Sequence, residues 1–139
     1  MTSGLDSPLR TIAMNGQVFD GRQSMPLEIT QRDANGICIL SLKGRLVLGQ
    51  ESAGFRTTTE NLLSSGATRI VINLAHADFI DSAGLGALIE AHRTTKAKGG
   101  RLALCNLGPN FKQALEFARL LTIFETFPTE SAAVEGFGS

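Results

Sequence analysis

The sequence contains no tryptophan, no tyrosine and no excess of either charge, since 13 Lys and Arg residues balance 13 Asp and Glu residues. This neutrality argues against a general nucleic-acid binder, because such proteins carry a clear basic excess. No apolar run approaches the roughly 18 residues that a membrane span requires. The start, MTSGLDSPLRTIAMNG, has neither a basic segment nor an uninterrupted apolar segment, so no signal peptide is predicted. We therefore expect a cytoplasmic protein with no nucleic-acid partner and no membrane insertion.

Cysteine is scarce as well, and its placement argues against a disulfide or a metal site. Cys38 and Cys105 lie inside the apolar runs ICILSL and RLALCNL, with no CxxC spacing and no histidine nearby. Buried, reduced thiols are the simpler interpretation. Asp78 and Asp81 are three residues apart, but no further carboxylate cluster or histidine set completes a metal-ligand spacing. The sequence predicts no metal and no cofactor.

Catalytic motifs are missing too. A nucleophile elbow requires glycine two residues before the serine, and before Ser82 that position holds Ile80. The glycine-rich dinucleotide pattern fails because Ile89 occupies its third glycine position, and there is no phosphate-binding lysine loop. His92 continues an apolar helical stripe, which is typical of a packed histidine. The sequence holds no catalytic constellation, and we predict that the protein is not an enzyme.

Two regions of the chain differ in composition. Residues 1–26 are rich in Gly, Ser, Pro and Asn, which predicts a poorly ordered extension with one short strand near residues 17–19. Residues 27–139 are predicted to form the domain. It opens with the segments LEITQRD and ICILSLK, and the Asn35-Gly36 dipeptide between them strongly favours a two-residue hairpin turn.

The rest of the domain alternates strands with helices. RIVINL and RLALCNL are uninterrupted apolar runs of strand length, as expected for central strands covered on both faces. The other predicted elements are helices over residues 51–63 and 82–98, helices from Gly108-Pro109 and from Thr129, and a strand over 123–127. This order indicates an α/β fold with a central, mixed, mostly parallel sheet and an N-terminal antiparallel hairpin. Right-handed crossovers place the helices together on one face unless the strand order reverses.

The stretch DFIDSAGLGAL, residues 78–88, places a carboxylate and a hydroxyl at the predicted start of a helix. In open α/β sheets the functional crevice lies beyond the carboxyl ends of the strands, where this pair falls. One interpretation is structural, with Asp81 or Ser82 capping the helix. The other is functional, because the N–H groups of a helix start would accommodate a phosphate on Ser82. Gly84 and Gly86 lower the helix propensity, so either a partner approaches closely there or the helix packs tightly on the sheet.

The same stretch carries a family resemblance. Together with RIVINLAHA before it and KGGRLALCNLGPNFKQALEFARLLTIFETFPTESAAV after it, DFIDSAGLGAL resembles the bacterial STAS domains of the anti-sigma-factor antagonist type. The resemblance covers about residues 27–137 and is strongest over residues 69–127. It implies a single STAS-like domain with a sheet of four or five strands and about four helices packed mainly on one face.

The resemblance also implies a function and a site. It implies an anti-sigma-factor antagonist, a non-catalytic module that sequesters an anti-sigma factor. That partner is also a serine kinase, and the antagonist releases it once Ser82 is phosphorylated. The implied partner-binding residues are Asp81, Ser82, Ala83, Gly84, Leu85, Gly86, Arg45 and Val47.

One loop departs from the family pattern. Family members that serve as kinase substrates usually carry Gly-Glu-Leu-Asp after the second strand, whereas this chain has Gly44, Arg45, Leu46 and Val47. Both acidic positions are lost and one is reversed in charge, which changes the partner that such a loop tolerates. The alternative function is therefore a STAS scaffold or accessory subunit of a larger signalling or transport assembly, without a phosphorylation switch. Val47 and Leu48, if exposed, would suit another STAS protein or a second copy of this chain.

Overall fold

The computed structural model describes residues 10–12, 27–120 and 122–138. The predicted strand at residues 17–19 lies outside these ranges. The elements in chain order are β1 Arg10–Ile12, β2 Leu27–Ala34, β3 Ile37–Leu46, α1 Gln50–Ser64, β4 Arg69–Ile80, α2 Ser82–Ala97, β5 Arg101–Cys105, α3 Pro109–Phe117, β6 Glu125–Phe127 and α4 Glu130–Gly138. No helix among these residues is both long enough and apolar enough to cross a membrane.

Asn35 and Gly36 turn the chain between β2 and β3, as predicted. Their φ angles are 54° and 79°, and the two-residue turns of twisted hairpins require such positive values. Pairing then runs from Ala34 opposite Ile37 to Leu27 opposite Gly44. The local sequence therefore sets the register of the antiparallel part of the sheet.

The strands form a six-stranded sheet in chain order, from β1 at one edge to β6 at the other. β1, β2 and β3 are antiparallel neighbours, whereas β3, β4, β5 and β6 run parallel. This confirms the predicted α/β class with a mixed, mostly parallel sheet. The strand count exceeds the predicted four or five, because β1 adds a three-residue edge strand opposite β2.

Each face of the sheet has its own hydrophobic core. On one face, Leu40, Ile72 and Leu104 pack with helix residues such as Phe55 and Leu88, and α1, α2 and α3 cover them. The smaller core on the other face lies under α4 and consists of Ile37, Ile39, Val71, Ala103, Cys105, Ala133 and Phe137. Since alternate residues of a strand point to opposite faces, β4 and β5 are apolar without interruption where both faces are covered. The helices thus pack mainly on one face, as expected.

Polar contacts hold α4 against the smaller core. Arg101 forms a two-pronged ion pair with Glu125, and its guanidinium lies 4.4 Å from the ring centroid of Phe137. The Arg69 guanidinium donates a hydrogen bond of 2.6 Å to the carbonyl oxygen of Phe137. Cations at the carboxyl end of a helix complement its dipole. The two arginines therefore stabilise the last turn of α4.

Strand β4 is longer than its neighbour β5, and this difference positions the functional edge. Residues 69–73, the inner half of β4, lie between β3 and β5. Residues 74–80, the outer half, continue beyond β5 and pair with β3 through two register shifts. The final pair is Leu46 opposite Ile80. The carboxyl ends of β3 and β4 therefore meet at the start of α2.

Candidate functional site at the start of helix α2

The backbone joins the ends of β3 and β4 directly to helix α2. Leu46 is fully buried at the end of β3, and its carbonyl oxygen accepts a hydrogen bond of 3.3 Å from the N–H of Asp81. Asp81 follows the last residue of β4 and precedes the first residue of α2. The residues that the sequence placed at a strand end and a helix start are therefore fixed by the sheet.

Asp81 caps the helix and also holds the loop after β3. Its Oδ1 accepts a hydrogen bond of 2.9 Å from the N–H of Gly84, and its Oδ2 accepts one of 3.0 Å from the N–H of Leu48. A carboxylate that accepts an N–H bond two or three residues into a helix is the ordinary N-cap arrangement. Of the two caps that the sequence allowed, Asp81 is therefore the one used.

The environment of Asp81 favours its charged form. Partial desolvation is the largest single influence and acts to raise the pKa of this carboxyl. Backbone N–H groups, including those of Leu48 and Gly84, act in the opposite direction and together lower the pKa below its ordinary value. The carboxylate is therefore ionised at neutral pH and keeps both of its hydrogen bonds.

Ser82 does not cap the helix, because Asp81 performs the capping. It is the first residue of α2 and its side chain is exposed. Within the described part of the chain its hydroxyl has no hydrogen-bond partner. The first N–H groups of a helix have no partners within the helix and point toward this end. The hydroxyl therefore lies in solvent, beside a local excess of positive partial charge.

Gly84 is required by packing. A Cβ at this position would overlap the carbonyl oxygen of Leu46 and would lie 2.8 Å from Cγ1 of Ile80. Gly86 differs, because the nearest atom to a Cβ there is Nη2 of Arg56 at 3.9 Å. Of the two explanations that the sequence offered for these glycines, tight helix–sheet packing holds for Gly84. Gly86 is half-buried, and a Cβ there would fit without a clash.

The other predicted site residues divide by exposure. Ala83, Leu85 and Val47 are half-buried, and Leu85 packs against the larger core. Arg45 is exposed, and so is Leu48, with 75% of its surface accessible. The structure thus gathers the predicted residues at one edge, where the side chains of Ser82, Arg45 and Leu48 are exposed.

Arg45 rests on an aromatic residue that sequence reasoning missed. Its guanidinium carbon lies 5.8 Å from the ring centroid of Phe79, the residue opposite it on β4, which is within cation–π range. Phe79 and Phe117 are both exposed, and both line a groove between the outer half of β4 and helix α3. The sequence contained one signal for this. Phe117 falls outside the apolar stripe of its helix, and the stripe residues Phe111 and Leu115 are buried.

The two cysteines and His92 are packed. Burial raises the pKa of both Cys38 and Cys105 to about 11, in the first case helped by the charge of Asp33. Desolvation, followed by the charge of Lys96, lowers the pKa of His92, whose ring centroid lies 5.1 Å from that of Phe124. Across residues 10–12, 27–120 and 122–138, no group of His, Cys, Asp and Glu side chains could hold a metal ion.

Comparisons with known proteins agree with this geometry. A sequence model of the STAS domain family matches residues 28–133. The anti-sigma F factor antagonist of Paenibacillus polymyxa is 26% identical over 110 residues, which cover 79% of this chain and 94% of that protein. An anti-sigma factor antagonist from Mycobacterium paratuberculosis has a similar structure, with a TM-score of 0.75, 18% identity, and coverage of 84% of this chain and all of that one. The Bacillus cell fate determinant SpoIIAA in its phosphorylated form has a TM-score of 0.63 and 23% identity, over 78% of this chain and 98% of that one.

Proposed function

Because the chain belongs to the STAS domain family, we propose that it is an anti-sigma-factor antagonist that acts in the cytoplasm as a binding module. Its partner is an anti-sigma factor that is also a serine kinase, and phosphorylation of Ser82 releases that partner. The observation that carries the proposal is the exposed Ser82 at the first position of α2, with a hydroxyl that the fold does not use. The relative with 26% identity, named an anti-sigma F factor antagonist, supports the partner class.

The proposed modification is a phosphoryl transfer in which this chain is the substrate. The kinase transfers the γ-phosphoryl group of ATP to Oγ of Ser82. A bond forms between Oγ and phosphorus, the bond between that phosphorus and the β–γ bridging oxygen breaks, and ADP leaves. The hydroxyl proton goes to a base of the kinase. This chain contributes only the hydroxyl and its position at the end of a rigid helix.

A phosphate at this position would change the surface without unfolding the domain. It would add a charge of about −1.5 to −2 at neutral pH. The start of α2 favours an anion, so the helix itself tolerates the group. The Asp81 carboxylate beside it is already ionised and keeps its bonds to Gly84 and Leu48. The two negative charges together would repel a partner that accepts the unmodified serine, and this repulsion is the proposed switch.

The test compares Ser82→Ala and Ser82→Asp with the wild-type chain, each used as bait in lysate of its own host. We expect wild type and Ser82→Ala to capture an anti-sigma factor, identified by mass spectrometry, and Ser82→Asp to lose it. Incubation of the captured complex with ATP should add one phosphoryl group to wild type and none to Ser82→Ala. Ser131, an exposed serine in the first turn of α4, supplies the matched control. Equal capture by Ser82→Asp and Ser131→Asp would contradict the switch.

A second function is favoured by one observation, the exposed Arg45 and Leu48 beside the site. In that case the chain is a STAS scaffold or accessory subunit that binds another STAS protein, a second copy or a larger assembly, and Ser82 plays no regulatory part. Leu48→Glu would then abolish partner binding, whereas Ser82→Asp would leave it unchanged. Leu48 is the informative residue because Leu46 is fully buried, so that a charge there would unfold the domain.

A further inference from the structure

Two exposed aromatic rings face one groove. Phe117 is 92% exposed and Phe79 is 48% exposed, and these are two of the four large apolar side chains exposed in the described residues. They line a groove of about 470 Å³, called here the aromatic groove, together with Ile80, Asn110, Gln113 and Ala114. Large exposed apolar groups that share one concave surface are characteristic of a binding site for another molecule.

The aromatic groove exists because β5 stops short of β4. β5 ends at Cys105 and pairs only with the inner half of β4, so the outer half has no neighbouring strand on that side. Helix α3 begins at Pro109 and forms the opposite wall. The groove therefore results from the shortness of β5, and its lining includes Ile80, a residue of the larger core.

The shape of the strand edge favours a helix over an added strand as the occupant. The outer half of β4 contains the register shifts of its pairing with β3, and such irregularities twist an edge away from regular strand pairing. At the start of this edge, Oδ1 of Asn73 accepts a hydrogen bond of 2.9 Å from the N–H of Ala75, so one backbone donor is already used. An amphipathic helix needs no such donors, because it binds through apolar side chains at helical spacing.

Charge then sets the chemistry of that helix. None of the six lining residues is charged. Beside the groove, the guanidinium of Arg45 lies over the ring of Phe79, and in the described part of the chain no carboxylate pairs with it. A cation stacked on an aromatic ring at the rim of an apolar groove is complementary to a carboxylate flanked by apolar groups.

We infer that the aromatic groove binds an amphipathic helix of a partner protein, with apolar side chains against Phe79 and Phe117 and a carboxylate against Arg45. The identification of that helix as part of an anti-sigma factor rests on the function proposed above. The proposed binding of a helix in this groove, and its preference for an acidic over a basic helix, do not depend on that identification.

The test uses two synthetic helical peptides as probes, titrated into the full chain and followed by amide chemical shifts. Both peptides carry Leu and Phe at positions i, i+3, i+4 and i+7, and their flanking charges are Glu in one and Lys in the other. We expect the Glu peptide to shift the amides of Phe79, Ala114 and Phe117 and to bind about tenfold more tightly than the Lys peptide. Arg45→Glu should reverse this preference, and Phe117→Ser should weaken binding of both peptides.

Two matched variants control for general effects. Arg93→Glu makes the same charge change at an exposed position of α2, and Ile123→Ser removes another exposed apolar side chain. Neither should alter binding. The inference is wrong if the Glu peptide causes no shifts, if both peptides bind equally, or if Phe117→Ser and Ile123→Ser behave alike. It is also wrong if sedimentation shows that wild type dimerises and Phe117→Ser does not, because the occupant is then a second copy. Peptide binding does not involve Ser82, so failure here and failure of the phosphorylation switch are separate results.

Discussion

The two halves of strand β4 contrast a buried core with the proposed partner surface. In the inner half, Ile70, Val71 and Ile72 are fully buried between two neighbouring strands and under helices on both faces. In the outer half, only one neighbouring strand remains, and residues such as Asp78 and Phe79 are exposed, whereas Leu74 and Ile80 still pack in the larger core. A single strand thus provides the centre of the core at one end and the proposed partner surface at the other. Substitutions of core residues in the inner half should therefore destabilise the domain, whereas substitutions of exposed residues in the outer half should affect its stability little.

The largest difference is expected between Ile72→Ala and Phe79→Ala. Removing the Ile72 side chain leaves a cavity in the larger core and should lower the free energy of unfolding by about 2–5 kcal/mol. Phe79→Ala removes a half-exposed ring and should cost less than about 1 kcal/mol, including the loss of its contact with Arg45. Urea unfolding followed by circular dichroism measures both values. If Phe79→Ala proved as destabilising as Ile72→Ala, Phe79 would belong to the folding core and the comparison would fail.

Gly84 and Gly86 give the next largest contrast, within the first turns of α2. Gly84→Ala places a Cβ against the carbonyl oxygen of Leu46. Because that oxygen is a backbone atom, it cannot easily move away, and the substitution should lower the free energy of unfolding by about 1–3 kcal/mol. Gly86→Ala adds a methyl group in ordinary van der Waals contact with Arg56 and should stabilise the helix by up to about 1 kcal/mol. The midpoints of thermal unfolding should therefore move in opposite directions. A shift in the same direction for both would mean that α2 does not sit against β3 as described.

Asp81 is expected to contribute less, and its contribution should depend on pH. Asp81→Ala removes the helix cap and the bond to Leu48, with an expected cost of about 1 kcal/mol at neutral pH. Because folding lowers the pKa of this carboxyl, its stabilisation is fully present above the unfolded value of about 3.9 and is lost as the pH falls through the lower folded value. The difference between wild type and Asp81→Ala should therefore shrink below about pH 4.

Asp78→Ala is the control for the loss of a carboxylate at this edge, because Asp78 is exposed on the outer half of β4. It should change stability by less than about 0.5 kcal/mol at neutral pH. Unfolding of all three proteins in urea, at neutral pH and at acid pH, separates the effects. A constant difference between wild type and Asp81→Ala across this range would show that the carboxylate's ionisation does not stabilise the helix start.

The features that the sequence predicted are those governed by local patterns. Asn35-Gly36 defined the hairpin, the runs RIVINL and RLALCNL defined two central strands, and the family match confirms the resemblance read from DFIDSAGLGAL. The position of Ser82 at a helix start also follows from local spacing. Each of these depends on residues that are close in the chain.

The features that were missed depend on contacts between distant segments. The outer half of β4 was not predicted as strand, because AHADFI lacks regular alternation where the register shifts occur. The packing role of Gly84 requires the carbonyl of Leu46, which comes from another strand. The aromatic groove depends on where β5 ends relative to β4, which no single segment specifies. The position of Phe117 outside the apolar stripe of its helix could have been read from the sequence, but the groove that it lines could not.

The smallest expected effect is that of Ser82→Ala on stability, and it sharpens the comparison between core and recognition surface. The hydroxyl has no hydrogen-bond partner among the described residues, and Asp81 already caps the helix. Alanine also favours a helix at least as well as serine does. The substitution should therefore change the free energy of unfolding by no more than about 0.5 kcal/mol, measured by urea unfolding in parallel with Asp81→Ala. If Ser82→Ala cost as much stability as Asp81→Ala, the hydroxyl would stabilise the helix. The proposed phosphorylation would then remove a contact that folding uses.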